Sequence, residues 1–212
     1  MSGILDLLGS DLGRTIISGV AGSTGQSSSK TSSVLTMALP VLMKAMQRNA
    51  STPEGAAGLM NAISGNKHDG GLLDNLAGMF GGGVDNSVTQ DGGNILGHIL
   101  GAKQGGVQQV IGQKTGVDSN MVGTILKVAA PILMGYLGKQ SRQSNVNDSS
   151  QLSGFLGSML GGNSNQADQS FLEKILDADG DGSVIDDVAG MFFGGAKKKG
   201  GIAGLLGGLF GK

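Results

Sequence analysis

The sequence has no cysteine and no tryptophan, and only three prolines, one tyrosine and six phenylalanines among 212 residues. The missing Cys removes disulfides, thiolate nucleophiles and Cys-ligated zinc or iron–sulfur sites. It does not fix the compartment. The scarcity of aromatics leaves few platforms on which single-stranded bases could stack. An excess of charge is missing as well: the net charge is -1 and the pI about 6.1. A nucleic-acid binder would normally carry a basic face, so no nucleic acid is expected as a partner. No uninterrupted run of about 18 apolar residues occurs, so no membrane-spanning helix is expected. The nearest stretch, 121–137, is broken by Thr124, Lys127 and Pro131. The opening Met1-Ser2-Gly3-Ile4-Leu5-Asp6 lacks the basic start and cleavable apolar core of a secretory signal. That predicts a cytoplasmic chain and leaves non-classical export open.

What is abundant is glycine: 41 of 212 residues, against a usual share of about 7%. The glycines fall inside apolar segments as well as between them. Each one inside a helix costs about 1 kcal/mol relative to Ala. Such helices should be weak alone and should need close backbone packing or a partner, which predicts a homo-oligomer or polymer.

The apolar residues follow helical spacing. Ile4, Leu5, Leu7, Leu8, Leu12, Ile16, Ile17 and Val20 predict one amphipathic helix. Residues 22–33 are small and polar and read as a loop. Val34 to Met46 predict a long, largely buried helix, with a kink near Thr36–Leu39 caused by Pro40. Thr52 followed by Pro53 is a helix start, and that helix should run to about Ser64. A short helix is expected over Leu72–Phe80. Asp118 caps a second long helix, with Pro131 inside it.

A shift of 91 positions carries Ile4-Leu5 onto Ile95-Leu96 and Thr24-Gly25 onto Thr115-Gly116. The same shift carries Ala38-Leu39-Pro40-Val41-Leu42-Met43 onto Ala129-Ala130-Pro131-Ile132-Leu133-Met134. An interior proline twice in one helical context marks an internal repeat. The expected fold is therefore all-α: repeat 1 over 1–83, repeat 2 over 84–195 and a tail over 196–212. Repeat 2 carries an insertion over 141–169, with a polar linker at 141–150 and a Gly-interrupted helix over 152–160. Ser170 and Glu173 form a capping box for a helix over 171–176.

The chemistry concentrates in Asp177-Ala178-Asp179-Gly180-Asp181-Gly182-Ser183-Val184-Ile185-Asp186-Asp187. Alternate carboxylates followed by glycine are how a short loop wraps a hard cation, since Ca2+ takes six to eight oxygens. Counted as an EF-hand loop, Asp177, Asp179 and Asp181 fill the first, third and fifth places, and Gly182 the sixth, where a sharp turn is needed. Ser183 offers its carbonyl at the seventh place. The twelfth place, normally Glu, is Val188, so Asp186 is the expected closing ligand, with Asp187 solvated or capping the next helix. Five carboxylates this close repel one another unless a cation neutralises them. Magnesium fits less well, because it prefers a compact octahedron with several waters. The first repeat holds a degenerate loop over 65–75. His68 to Phe80 aligns with Gly180 to Phe192, but Gly65 and Lys67 stand where the second copy has Asp177 and Asp179.

The loop resembles the shortened EF-hand-like loops of bacterial extracellular calcium-binding modules, whose closing acid comes two residues early. The chain as a whole resembles the bacterial family called domain of unknown function 937. The likeness lies in its ILDLLG opening, its ALPVLMKAM and AAPILMGYL helices and its closing DADGDGSVIDDVAGMFFGG, and it extends over nearly the whole chain. It implies an all-helical fold and no particular activity.

Catalytic signals are weak. There is no P-loop, H-E-x-x-H or G-x-S-x-G motif. The two histidines, His68 and His98, supply too few ligands for zinc. The expectation is a non-enzymatic calcium-binding protein with a structural or interaction role. The alternative is a peripheral membrane protein using Lys197–Lys212, a basic cluster followed by an apolar Gly-laced segment.

Overall fold

The computed structural model describes residues 3–65, 71–82 and 84–160. Every regular element among them is helical: α1 (Ile4–Gly9), α2 (Asp11–Thr24), α3 (Ser28–Asn49), α4 (Pro53–Ser64), α5 (Gly71–Asp74), α6 (Leu76–Gly81), α7 (Asn86–Leu100), α8 (Gln104–Thr115), α9 (Ser119–Gln143) and α10 (Ser149–Met159). A 3-10 turn, Gly101–Lys103, joins α7 to α8. The all-α expectation holds.

The centre of the fold is α9. Residues 128–138 are all buried, with no polar face, as expected of a helix surrounded by others. Helices α7, α8, α2, α4, α3 and α5 pack around it. By length and composition Ser119–Gln143 would cross a bilayer, but 83% of its apolar window is buried inside the protein. Its hydrophobicity is that of a core. Apolar side chains from both sides of residue 83 share that core: Val34, Leu42, Met43 and Met46 of α3 lie with Leu96, Ile111, Ile125 and Leu137.

Three segments fold differently from their sequence pattern. The 4–20 stretch is two helices. Ser10 breaks it with an extended backbone, accepting from the Gly13 amide at 3.1 Å and donating to the Leu7 carbonyl at 2.6 Å. A Cβ on Gly13 would meet the Leu7 oxygen at 2.1 Å, so only glycine lets α2 fold back this tightly. The 22–33 stretch is mostly helix, with only residues 25–27 between α2 and α3. Ser23 and Thr24 stay helical by donating their hydroxyls to the Val20 carbonyl, at 3.0 and 2.7 Å. Gly25 then ends α2 in the left-handed region (φ 66°), and Ser27 caps α3 by accepting from the Lys30 amide at 3.3 Å. The 72–80 stretch is α5 and α6, divided at Asn75.

Elsewhere the pattern and the structure agree. Thr52 caps α4, which ends at Ser64. Asp118 caps α9 through the Asn120 and Met121 amides. Gly116 (φ 66°) ends α8 as Gly25 ends α2, and α9 begins 91 positions after α3. The polar 141–150 linker is shorter than expected, because α9 continues to Gln143 and α10 begins at Ser149.

Candidate functional site

The expected cation ligands Asp177, Asp179, Asp181, Ser183 and Asp186 lie outside the described residues, as do Ser170, Glu173 and the 196–212 tail. Of the degenerate first loop, 66–70 lie outside as well, including Lys67 and His68. Among the described residues, no group of three or more His, Asp or Glu stands close enough to hold a metal ion.

The described end of the first loop shows how the motif is anchored. Gly65 closes α4, and α5 follows at Gly71. Asp74, which aligns with Asp186, ends α5, and its carboxylate accepts from the Lys139 ammonium of α9 at 3.1 Å. Both side chains are substantially exposed, so the pair is worth at most about 1 kcal/mol. It links α5 to α9, while Leu73 is the residue that α5 buries. One turn earlier on α9, Tyr136 is buried, and its hydroxyl is pushed above the usual phenol range, first by that burial and then by the charge of Asp6. Asp6 itself accepts from the Gly3 amide at 2.8 Å at the start of α1.

A second feature lies between α2 and α6. An open groove of about 550 Å³ has Ser18, Gly19, Gly22 and Ser23 on one side and Leu76 and Phe80 on the other. Arg14 sits at its edge, paired with Asp11 one turn before it. Sequence reasoning missed both features. Asp74 and Lys139 are 65 positions apart, and no local pattern joins them. The signal for the groove was a glycine inside an apolar helical stripe, which reads equally well as a plain helix-weakening residue.

His98 is exposed on α7, and its backbone carbonyl accepts from the Asn49 side-chain amide at 3.2 Å. Nothing among the described residues joins it to a catalytic arrangement.

The family described as "Bacterial protein of unknown function (DUF937)" matches residues 6–140. The chain belongs to that family. The DUF937 match spans α1 to nearly the end of α9, the helices that build the core. It stops before residue 177, so it is narrower than the whole-chain likeness expected from the sequence, and the acidic loop lies beyond it. Neither a curated protein nor a solved structure matches the chain.

Proposed function

We propose that this DUF937 protein is a non-enzymatic calcium-binding protein with a structural or interaction role, and that it self-assembles. One observation carries the calcium assignment: the spacing of Asp177, Asp179, Asp181, Gly182 and Asp186. Alternate side chains in a tight loop converge, and that many carboxylates in so short a loop need a counter-charge. The first copy of the motif lends support. There, Asp74 stands where the second copy has Asp186, and it draws the Lys139 ammonium to 3.1 Å. Where the first copy lacks the Asp177 and Asp179 equivalents, the protein supplies a cation of its own. Where those carboxylates are present, the loop takes one from solution.

Support for self-assembly comes from the described helices. Gly58 on α4, Gly97 on α7 and Gly105 on α8 are exposed, and among the described residues nothing lies within 4 Å of where a Cβ would be. Small residues of this kind let a second backbone approach closely.

Calorimetry tests the calcium assignment directly. The wild type should bind one Ca2+, and an Asp179→Ala, Asp181→Ala variant should lose the heat. Equal heats from the two proteins would end the assignment. Light scattering with and without calcium tests assembly, and a monomer in both conditions would end that part alone.

A further inference from the structure

The groove between α2 and α6 already holds one aromatic ring. Phe80 lies across Gly19 so closely that a methyl group on Gly19 would stand 2.1 Å from a ring carbon. Glycine lets the ring lie this close, and a larger residue there would make the Phe80 ring shift. Three residues further along, on the same face of α2, Gly22 also lines the groove. Among the described residues, nothing lies within 4 Å of where its Cβ would be. Among the described residues, helix α2 thus presents two glycine notches on one face, one filled and one open.

The filled notch is occupied by the segment Leu76-Ala77-Gly78-Met79-Phe80. The chain repeats four of these five residues in Val188-Ala189-Gly190-Met191-Phe192. In both copies an apolar residue precedes the phenylalanine by four positions. That spacing puts Leu76 and Phe80 on one face of α6, and both line the groove.

We propose that the open notch at Gly22 is the docking site for Phe192 of the same chain, so that α2 carries both copies of the segment side by side. Residues 188–192 lie outside the described residues. The 161–187 stretch that joins them to α10 spans roughly 90 Å when extended, so the tether leaves the groove within reach. A tethered segment also needs little affinity of its own, because its linker holds it at an effective concentration near the millimolar range. The docking stands on the groove and the repeated segment, and it does not depend on calcium binding.

The chain has no Cys and no Trp, so either probe would be unique. A Gly22→Cys, Phe192→Cys variant, oxidised at low protein concentration, should close an intramolecular disulfide. The product is a faster-migrating monomer on a non-reducing gel. A Gly22→Cys, Phe210→Cys control should close it more slowly. Gly22 is exposed and has room for a side chain, so the fold should survive the change, and circular dichroism checks that. As a second measurement, Phe192→Trp should show blue-shifted emission that moves to the red when Gly22→Arg is added. A disulfide that forms only between two chains, or none at all, overturns the proposal, as does Trp emission that ignores Gly22→Arg.

Discussion

In α3, the carbonyl left without a helical donor by Pro40 belongs to Thr36; in α9, the one left by Pro131 belongs to Lys127. The two helices start 91 positions apart and carry their prolines in the same register, yet the defect is handled differently. Among the described residues, no glycine of a neighbouring helix points at the Thr36 oxygen. At Lys127 the backbone of α7 arrives instead. A Cβ on Gly92 would fall 1.8 Å from the Lys127 oxygen, so the hydrogen that stands in its place points at that oxygen. This is the geometry of a weak Cα–H···O bond. The same local flaw has no such glycine contact in one helix and is a crossing point in the other. The surroundings follow suit. Lys44 and Gln47 give α3 a partly open face, whereas the corresponding positions of α9, Gly135 and Gly138, are buried. A helix becomes the centre of a bundle by shedding its long polar side chains and offering its stranded carbonyl to a glycine.

The sharpest way to break that comparison is Gly92→Val. No neighbouring side chain can yield there, because the clash is with backbone. The expected loss is about 3 kcal/mol, read as a lower denaturant midpoint. Gly97→Ala, in the same helix but with open space around it, should instead add roughly 0.5–1 kcal/mol through helix propensity. Equal effects at the two positions would show that α7 does not cross α9 through Gly92.

A smaller effect separates Thr31 from Val122, which the same shift brings into register. Both are fully buried, but among the described residues the Thr31 hydroxyl has no hydrogen-bond partner. Thr31→Val should raise stability by about 1 kcal/mol, and Val122→Thr should lower it by about 1–2 kcal/mol. Thermal unfolding of the two variants checks both signs. A loss on Thr31→Val would mean that the hydroxyl does have a partner in solution.

The sequence told most where one physical signal dominated. Thr52-Pro53 and Asp118 mark helix starts because their side chains satisfy amides that the first turn leaves free. The apolar periodicity after Asp118 marked a long helix, and α9 is that helix. The misreadings share a cause. Ser23, Thr24 and Ser28–Ser29 look like a loop by composition, but their hydroxyls can bond back to the helix, as Ser23 and Thr24 do, and the packing of Val20 and Val34 decides the outcome. The break at Ser10 was hidden because the apolar spacing runs straight through it. What announces it is Gly13, whose missing side chain matters only once α1 and α2 meet. For the candidate site, the sequence supplied the ligand pattern at 177–187, and the structure supplied the behaviour of its first copy, Asp74 on Lys139 and Phe80 on Gly19. Both of those contacts join distant positions, which periodicity cannot see.

The smallest expected effect comes from the caps, where the two halves differ again. Helices α2, α3 and α4 are capped by Ser10, Ser27 and Thr52, whereas α7, α9 and α10 are capped by Asp85, Asp118 and Asp148. Hydroxyl caps do not titrate in the acid range; carboxylate caps do. The Ser87 and Ser150 amides, and then the hydroxyls of the same residues, hold the carboxyls of Asp85 and Asp148 below the usual Asp range. A depressed folded value means that the charged form is favoured in the fold. Its contribution is therefore complete above the unfolded value, near 3.9, and is lost as the pH falls through the lower folded value. Acid should loosen the starts of α7 and α10 before those of α3 and α4. Amide exchange at about pH 3, compared with about pH 5, should show Ser87 and Ser150 losing protection ahead of Lys30 and Gly55. A double variant with Asp85→Ser and Asp148→Ser should have a flatter stability profile in that range. Parallel profiles for variant and wild type would mean that the two sets of caps are equivalent, and that the acid sensitivity of the fold lies elsewhere.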